Sequence, residues 1–258
     1  MSVELLFNVM SGEGEVIVLL HGLFGSSDNL SRIAKELEKS HKVVSIDLRN
    51  HGKSFHHVSM NYDEMSEDVI RVMEYHGINK AHFIGHSMGG KVAMHIALTH
   101  PEYIDKLIIA DIAPVNYPPH HQAILRGLNA LPLEKVGNRK EADQYLAEYI
   151  KEPGVRQFLL KSLSIVPSEK TKWKFNLSAI LNNYDSILSG ETLKTSFSGR
   201  TLFIAGGLSD YIKPEYKSHT MNLFPLAKLK IIPETSHWLH AEKPKVFIAI
   251  CQRFLEER

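Results

Sequence analysis

The stretch Phe83-Ile-Gly-His-Ser-Met-Gly-Gly90 restricts the fold more than any other part of the chain. An apolar run, Ala81 to Ile84, stops at Gly85-His-Ser-Met-Gly89, and a helix-capable run, Lys91 to Leu98, follows at once. A strand that enters a helix through Gly-x-Ser-x-Gly has the layout of a nucleophile elbow, with the serine held in a strained conformation at the tip. Side chains two residues either side of Ser87 would collide, so those positions are glycine, Gly85 and Gly89. The N–H of Met88 then opens a helix, where partial positive charge stabilises an oxyanion. The pentapeptide alone occurs by chance in about one chain in ten of this length, so the strand and helix around it carry the information. The bland alternative is a glycine-rich turn with a solvated serine.

The other apolar runs build an α/β sheet around this turn. Glu15 to Leu20, Val43 to Ile46, Lys106 to Ala110, Thr201 to Ala205 and Leu229 to Ile232 read as strands, the first a continuous branched run covered on both faces. Val3 to Val9 reads as a short edge strand. Helices are expected at Asn29 to Lys39, at Met60 to His76 with Gly77 as its stop, and at Lys245 to Leu255. Asp47 and Arg49 read as a structural charge pair holding the loop after the Val43 strand.

After Pro114 the composition changes. Up to about Phe197 no strand-like run occurs, only helical segments broken at Pro118-Pro119, Pro132, Pro153-Gly154 and Pro167. Such a stretch is too long for a plain connection. The expected organisation is a core of residues 1–114 and 198–258, with a helical cap of residues 115–197 inserted after the strand ending at Asp111.

Composition excludes several function classes. At 258 residues and 43% hydrophobic, the chain can bury a large core. Thirty basic residues against 29 acidic ones give a charge of +1, so no nucleic-acid or membrane partner is expected. A single cysteine, Cys251, rules out a disulfide framework and reads as a buried thiol. No run of 18 apolar residues is present, and the first residues lack a signal-peptide pattern, so a cytoplasmic protein is expected.

A serine hydroxyl needs a base, and histidine, with a free pKa near 6.5, suits that task. A carboxylate must then orient the imidazole. Of 15 histidines, His237 is selected by its place after the last strand. Two aspartates compete for the acid, Asp111 at the end of the strand after the elbow helix and Asp210 after the Thr201 strand; spacing does not choose between them. The two oxyanion donors are expected from the backbone N–H of Met88 and of Leu23, where Gly22 allows close approach. Phe24 and Trp238 flank these atoms, and Trp173 and Phe175 are candidates to reach the substrate from the cap or to be ordinary core.

Taken together, His21-Gly-Leu-Phe-Gly-Ser, Asp47-Leu-Arg-Asn-His-Gly-Lys-Ser, Ile84-Gly-His-Ser-Met-Gly-Gly-Lys, Asp111-Ile-Ala-Pro, Gly206-Gly and His237-Trp-Leu-His-Ala-Glu-Lys-Pro resemble the YbfF-type bacterial esterases of the α/β-hydrolase superfamily. The resemblance runs through the whole chain and is weakest over residues 115–197. It implies a mostly parallel sheet with helices on both faces and hydrolysis of esters or thioesters of short to medium acyl chains. It also points to Asp111 as the acid, although Ser209-Asp210 departs from the group, which often lacks an acid in that slot.

A metal is not expected: His56-His57 and His120-His121 lie in polar loops, His237-x-x-His240 has no third ligand in register, and no His-Glu-x-x-His occurs. No dinucleotide or phosphate-cradling glycine motif is present, so no cofactor is expected either. Two other functions use the same architecture. An acyltransferase would pass the acyl group to an alcohol and form a new ester when ethanol is added; a ligand sensor would show no turnover. A small acyl ester or thioester is the expected partner, and monomer and weak dimer both stay open.

Overall fold

The computed structural model describes residues 5–166, 169–190 and 193–257. Seven strands form one sheet in the order β1-β3-β2-β4-β5-β8-β9. They are β1 (Asn8–Ser11), β2 (Val16–Leu20), β3 (Lys42–Ile46), β4 (Ala81–His86), β5 (Ile104–Ala110), β8 (Arg200–Gly206) and β9 (Ala227–Ile232). Only β1 is antiparallel, paired with β3 through Asn8↔Ile46. It starts later than the sequence pattern suggests, and Val3 lies outside the described residues.

Strand residues alternate between two cores, which explains the continuous apolar runs. Val18, Leu20, Val44, Ile46, Phe83, Leu107 and Ile109 face one layer of helices. Ile17, Leu19, Val43, Ile84, Ile108, Leu202 and Ile204 face the other. The second layer holds α1 (Ser31–Leu37) and α11 (Pro244–Glu256), joined through Ile33, Leu37, Phe247, Cys251 and Phe254. Burial also raises the pKa of the Cys251 thiol, so it packs as an inert small hydrophobe.

The first layer holds α2 (Tyr62–Tyr75) and α3 (Met88–Thr99). Asn61 caps α2 by accepting the N–H of Glu64, which sets its start two residues after Met60. Gly77, at φ 64°, ends it. The helix expected from Asn29 is split, with a 3-10 turn at Ser27–Leu30 preceding α1.

Between β5 and β8 the chain runs through α4 (Gln122–Ala130), α5 (Arg139–Ala147), α6 (Pro153–Lys161), α7 (Leu177–Asn182) and α8 (Tyr184–Leu188). Pro153 begins α6 rather than breaking it, since proline at the first helical position loses no hydrogen bond. Pro167 lies outside the described residues. One feature departs from an all-helical segment: β6 (Leu163–Ser164) and β7 (Lys172–Trp173) pair antiparallel. Two-residue strands carry no periodicity by which sequence could announce them. The remaining helices, α9 (Lys217–Leu223) and α10 (Leu239–Glu242), flank β9. No helix among the described residues is long and apolar enough to cross a membrane.

Candidate active site

The end of β4 turns sharply into α3 at Ser87, whose backbone adopts φ 53° and ψ −121°. That left-handed conformation is costly for a residue with a Cβ. The flanking glycines permit it. A Cβ on Gly85 would meet the carbonyl oxygen of Gly89 at 2.3 Å, and one on Gly89 would meet that of Leu20 at 2.4 Å. Ser87 N–H donates to the carbonyl of Ala110, which fastens the elbow to β5.

Asp111 follows β5 directly and is fully buried, also at positive φ, 52°. Its Oδ1 accepts the N–H of Gly206 at 2.9 Å, and its Oδ2 accepts the Ser209 hydroxyl. Oδ2 also lies 2.8 Å from His237 Nδ1. A carboxylate accepts, so Nδ1 carries the proton and Nε2 is the basic nitrogen. Two further rings lie against the imidazole. Tyr211 stacks on it at 3.9 Å and 19°, and the His86 ring lies 4.8 Å away. His86 Nε2 donates to the carbonyl of His237 at 2.9 Å. Burial, with His240 and His237 beside it, holds the His86 pKa well below the usual imidazole value, so this support is neutral.

Ser87 and His237 line one cavity of about 320 Å³, and their side chains are not hydrogen-bonded to each other among the described residues. Hydrogen bonds between a candidate nucleophile and base often close only when substrate binds. Asp210 lies exposed on the rim of the same cavity, and the carboxylate on the ring is that of Asp111.

The loop after β2 is locked by two histidines. His21 Nδ1 donates to the Gly22 carbonyl at 2.8 Å while its Nε2 accepts the N–H of Leu48 at 3.0 Å. His51 Nδ1 donates to the Arg49 carbonyl, and its Nε2 accepts the N–H of Phe24 at 3.1 Å. Burial lowers the His51 pKa to about 3, which keeps that nitrogen an acceptor. Phe24 is thereby fixed at φ 63°. The Phe24 N–H is used and that of Gly25 bonds to Gly22, whereas no described group accepts the N–H of Leu23. Gly22 is required by proximity, because a Cβ there would meet His86 Nδ1 at 2.8 Å and lie 3.3 Å from Ser87 Cβ.

Phe24 and Trp238 line the cavity, the latter packed on Phe158 at 5.7 Å. Trp173 and Phe175 do not. They stack on each other at 5.1 Å and 13°, and Phe175 buttresses Phe24 from behind. The residues that reach the cavity from the helical segment are His120, His121, Ile124, Val155, Phe158 and Leu159. Sequence reasoning passed over the two histidines as loop residues. They form a chain of hydrogen bonds: His120 Nδ1 donates to the Pro118 carbonyl, so its Nε2 accepts the Tyr211 hydroxyl at 2.5 Å. His121 Nε2 approaches the same hydroxyl at 3.4 Å, and its Nδ1 accepts from Tyr184 at 2.9 Å. Burial lowers both pKa values, that of His121 to about 3.

The expected Asp47–Arg49 pair is replaced by other partners. Arg49 bonds Asp68 at 2.6 Å and Glu64 at 2.8 Å, both on α2. Asp47 instead accepts the backbone N–H groups of Ser27 and Lys53. Two turn residues in one loop point to different neighbours, which their spacing does not reveal.

A parallel sheet with a serine at a strand-to-helix turn, and an aspartate–histidine pair at later strand ends, defines an α/β hydrolase. The family model for the alpha/beta hydrolase fold matches residues 15–137. A protein of Haemophilus influenzae named as an esterase/lipase is 42% identical over 94% of this chain and 83% of its own. The esterase YbfF of Escherichia coli is 38% identical over 93% of each chain. The solved structure of a marine microorganism esterase superposes with a TM-score of 0.94, at 39% identity over 98% of this chain and 100% of that one. The chain belongs to the α/β-hydrolase family, among its YbfF-type esterases, and is a carboxylic ester hydrolase.

Proposed function

We propose that the chain cleaves esters or thioesters of short to medium acyl chains through an acyl-enzyme on Ser87. His237 Nε2 takes the Ser87 proton as Oγ attacks the acyl carbon, and the proton then passes to the departing alkoxide or thiolate. Asp111 holds the tautomer and stabilises the imidazolium. The backbone N–H groups of Leu23 and Met88 receive the oxyanion. Water, deprotonated by the same imidazole, releases the acid. Residues 115–197 act as a cap over the reacting atoms.

One observation carries this reading: His237 Nδ1 is 2.8 Å from Asp111 Oδ2 in the cavity that Ser87 lines. The acyl length is supported by the cavity's volume, about 320 Å³ and at the small end of ligand pockets, and by the apolar walls of Phe24, Ile124, Val155 and Phe158.

A covalent alkyl fluorophosphonate, followed by peptide mapping, tests nucleophile and activation together. The expected adduct is on Ser87, with Ser87→Ala losing both label and ester hydrolysis while it keeps its thermal melt. Label on another residue, or hydrolysis retained by that variant, overturns the mechanism.

A further inference from the structure

At the end of the sheet opposite Ser87, three strands begin side by side. The register sets Val16 beside Lys42 and Ile17 beside His82. Glu15 and His41, which enter β2 and β3, and His82, second in β4, therefore converge. One ligand-capable atom from each lies within 4.8 Å of the other two. Glu15 is exposed, whereas His41 and His82 are only 9% and 3% exposed.

The cluster has the features of a metal site rather than a chance meeting of polar groups. His82 Nε2 stands 3.3 Å from Glu15 Oε2. Two ligands about 2.0–2.1 Å from a tetrahedral zinc ion stand about 3.4 Å apart, so this pair already has the right span. With all three ligand atoms within 4.8 Å of one another, bringing that of His41 to the same span takes a side-chain movement of at most about 1.5 Å. One outer nitrogen is held, His41 Nδ1, which is hydrogen-bonded to the Ser40 hydroxyl at 2.9 Å. His82 Nδ1 is buried without a hydrogen-bond partner, 3.1 Å from Asp105 Oδ2. An oxygen on the far nitrogen orients a metal-binding imidazole, and Asp105 is the group near enough to take that role for His82. A cleft bounded by Gly14, Glu15, Lys80, His82 and Asp105 opens beside two of the three ligands, Glu15 and His82.

We propose that Glu15, His41 and His82 bind a divalent transition metal of the zinc class, with water in the fourth position. Two imidazoles and one carboxylate suit zinc or cobalt better than magnesium or calcium. Five residue steps of extended chain separate His82 from Ser87, about 16 Å, so the ion plays no part in ester cleavage. It fastens the starts of β2, β3 and β4 to one another.

The test is a calorimetric titration of Zn²⁺ into the full-length, chelator-stripped protein, with Co²⁺ absorption reporting the ligand geometry. One equivalent is expected to bind and raise the melting temperature. His41→Gln and Glu15→Gln should each lose that equivalent, and Asp105→Asn should weaken it about 10- to 100-fold. Ester hydrolysis should stay unchanged in all three. Glu15 is a surface residue, so its variant keeps the test clear of folding defects, as a metal-free melt matching the parent verifies. Absence of the equivalent would mean a His82 ion-pair cluster with no metal, and overturns the proposal. So does an equivalent that survives in Glu15→Gln, which would place the ion on the cavity histidines.

Discussion

Ser87, Phe24 and Asp111 all occupy left-handed backbone, at φ 53°, 63° and 52°. Each lies on a different loop at the site, and each is held by hydrogen bonds from outside its own turn. Strain of this kind persists only where the surroundings over-determine it. Asp111 shows how: its N–H donates to Ile204, and its carboxylate accepts from Gly206, Ser209 and His237. Under the proposed mechanism Asp111→Asn leaves these contacts nearly isosteric but disturbs the His237 tautomer, and kcat/KM should fall about 10⁴-fold. Asp210→Asn, on the exposed rim, should have a far smaller effect. Steady-state kinetics of the two variants rank them, and the reverse order reassigns the acid.

At the scale of elements, the helical segment is tied to the sheet by buried polar contacts as well as by packing. Lys91 on α3 donates to the carbonyls of Val115 at 3.0 Å and Leu188 at 3.1 Å, and to that of Ser189. Those carbonyls belong to the two ends of the segment, so one ammonium gathers its entry and exit; it also lies 4.8 Å over the Tyr117 ring. Further ties are Ser162 to the Phe24 carbonyl at 2.7 Å and Tyr62 to that of Ile187 at 2.6 Å. Lys91→Met keeps the length of the side chain but leaves the carbonyls without their donor. It should cost about 1–3 kcal/mol, since unpaired buried acceptors lose hydration without compensation. Limited proteolysis should then cut first within residues 115–197; an unchanged melt and cleavage pattern would show that packing alone holds the segment.

At the scale of the whole molecule, the buried histidines give the stability a sign with respect to pH. Burial lowers the pKa of His51, His121 and His240 to about 3 and that of His86 well below its usual value. In the unfolded chain the same rings protonate near 6.5. Above that pH their contribution is complete. As the pH falls below 6.5 the unfolded state binds more protons, and each ring removes up to about 1.4 kcal/mol per pH unit until its own lowered folded value is passed. The melting temperature should therefore drop steeply between pH 6.5 and 5, as scanning calorimetry would record. A level melting temperature across that range contradicts neutral burial.

Contiguous residues determined a good deal. The runs that begin at Glu15, Val43, Lys106 and Thr201 alternate between two cores, and a period of two is written in neighbours. The elbow was legible because Gly85, Ser87 and Gly89 meet a steric demand within five residues, and His237 by its place after the last strand. Tertiary structure alone decided which distant groups face one another. It brought the carboxylate of Asp111 rather than Asp210 to His237, moved Trp173 and Phe175 behind the cavity wall, and gave Arg49 to α2 instead of Asp47. It also brought His120 and His121 into the cavity and joined Glu15 to His41 and His82. Each of those outcomes depends on strand register and loop direction, which arise from long-range packing and leave no mark in local spacing.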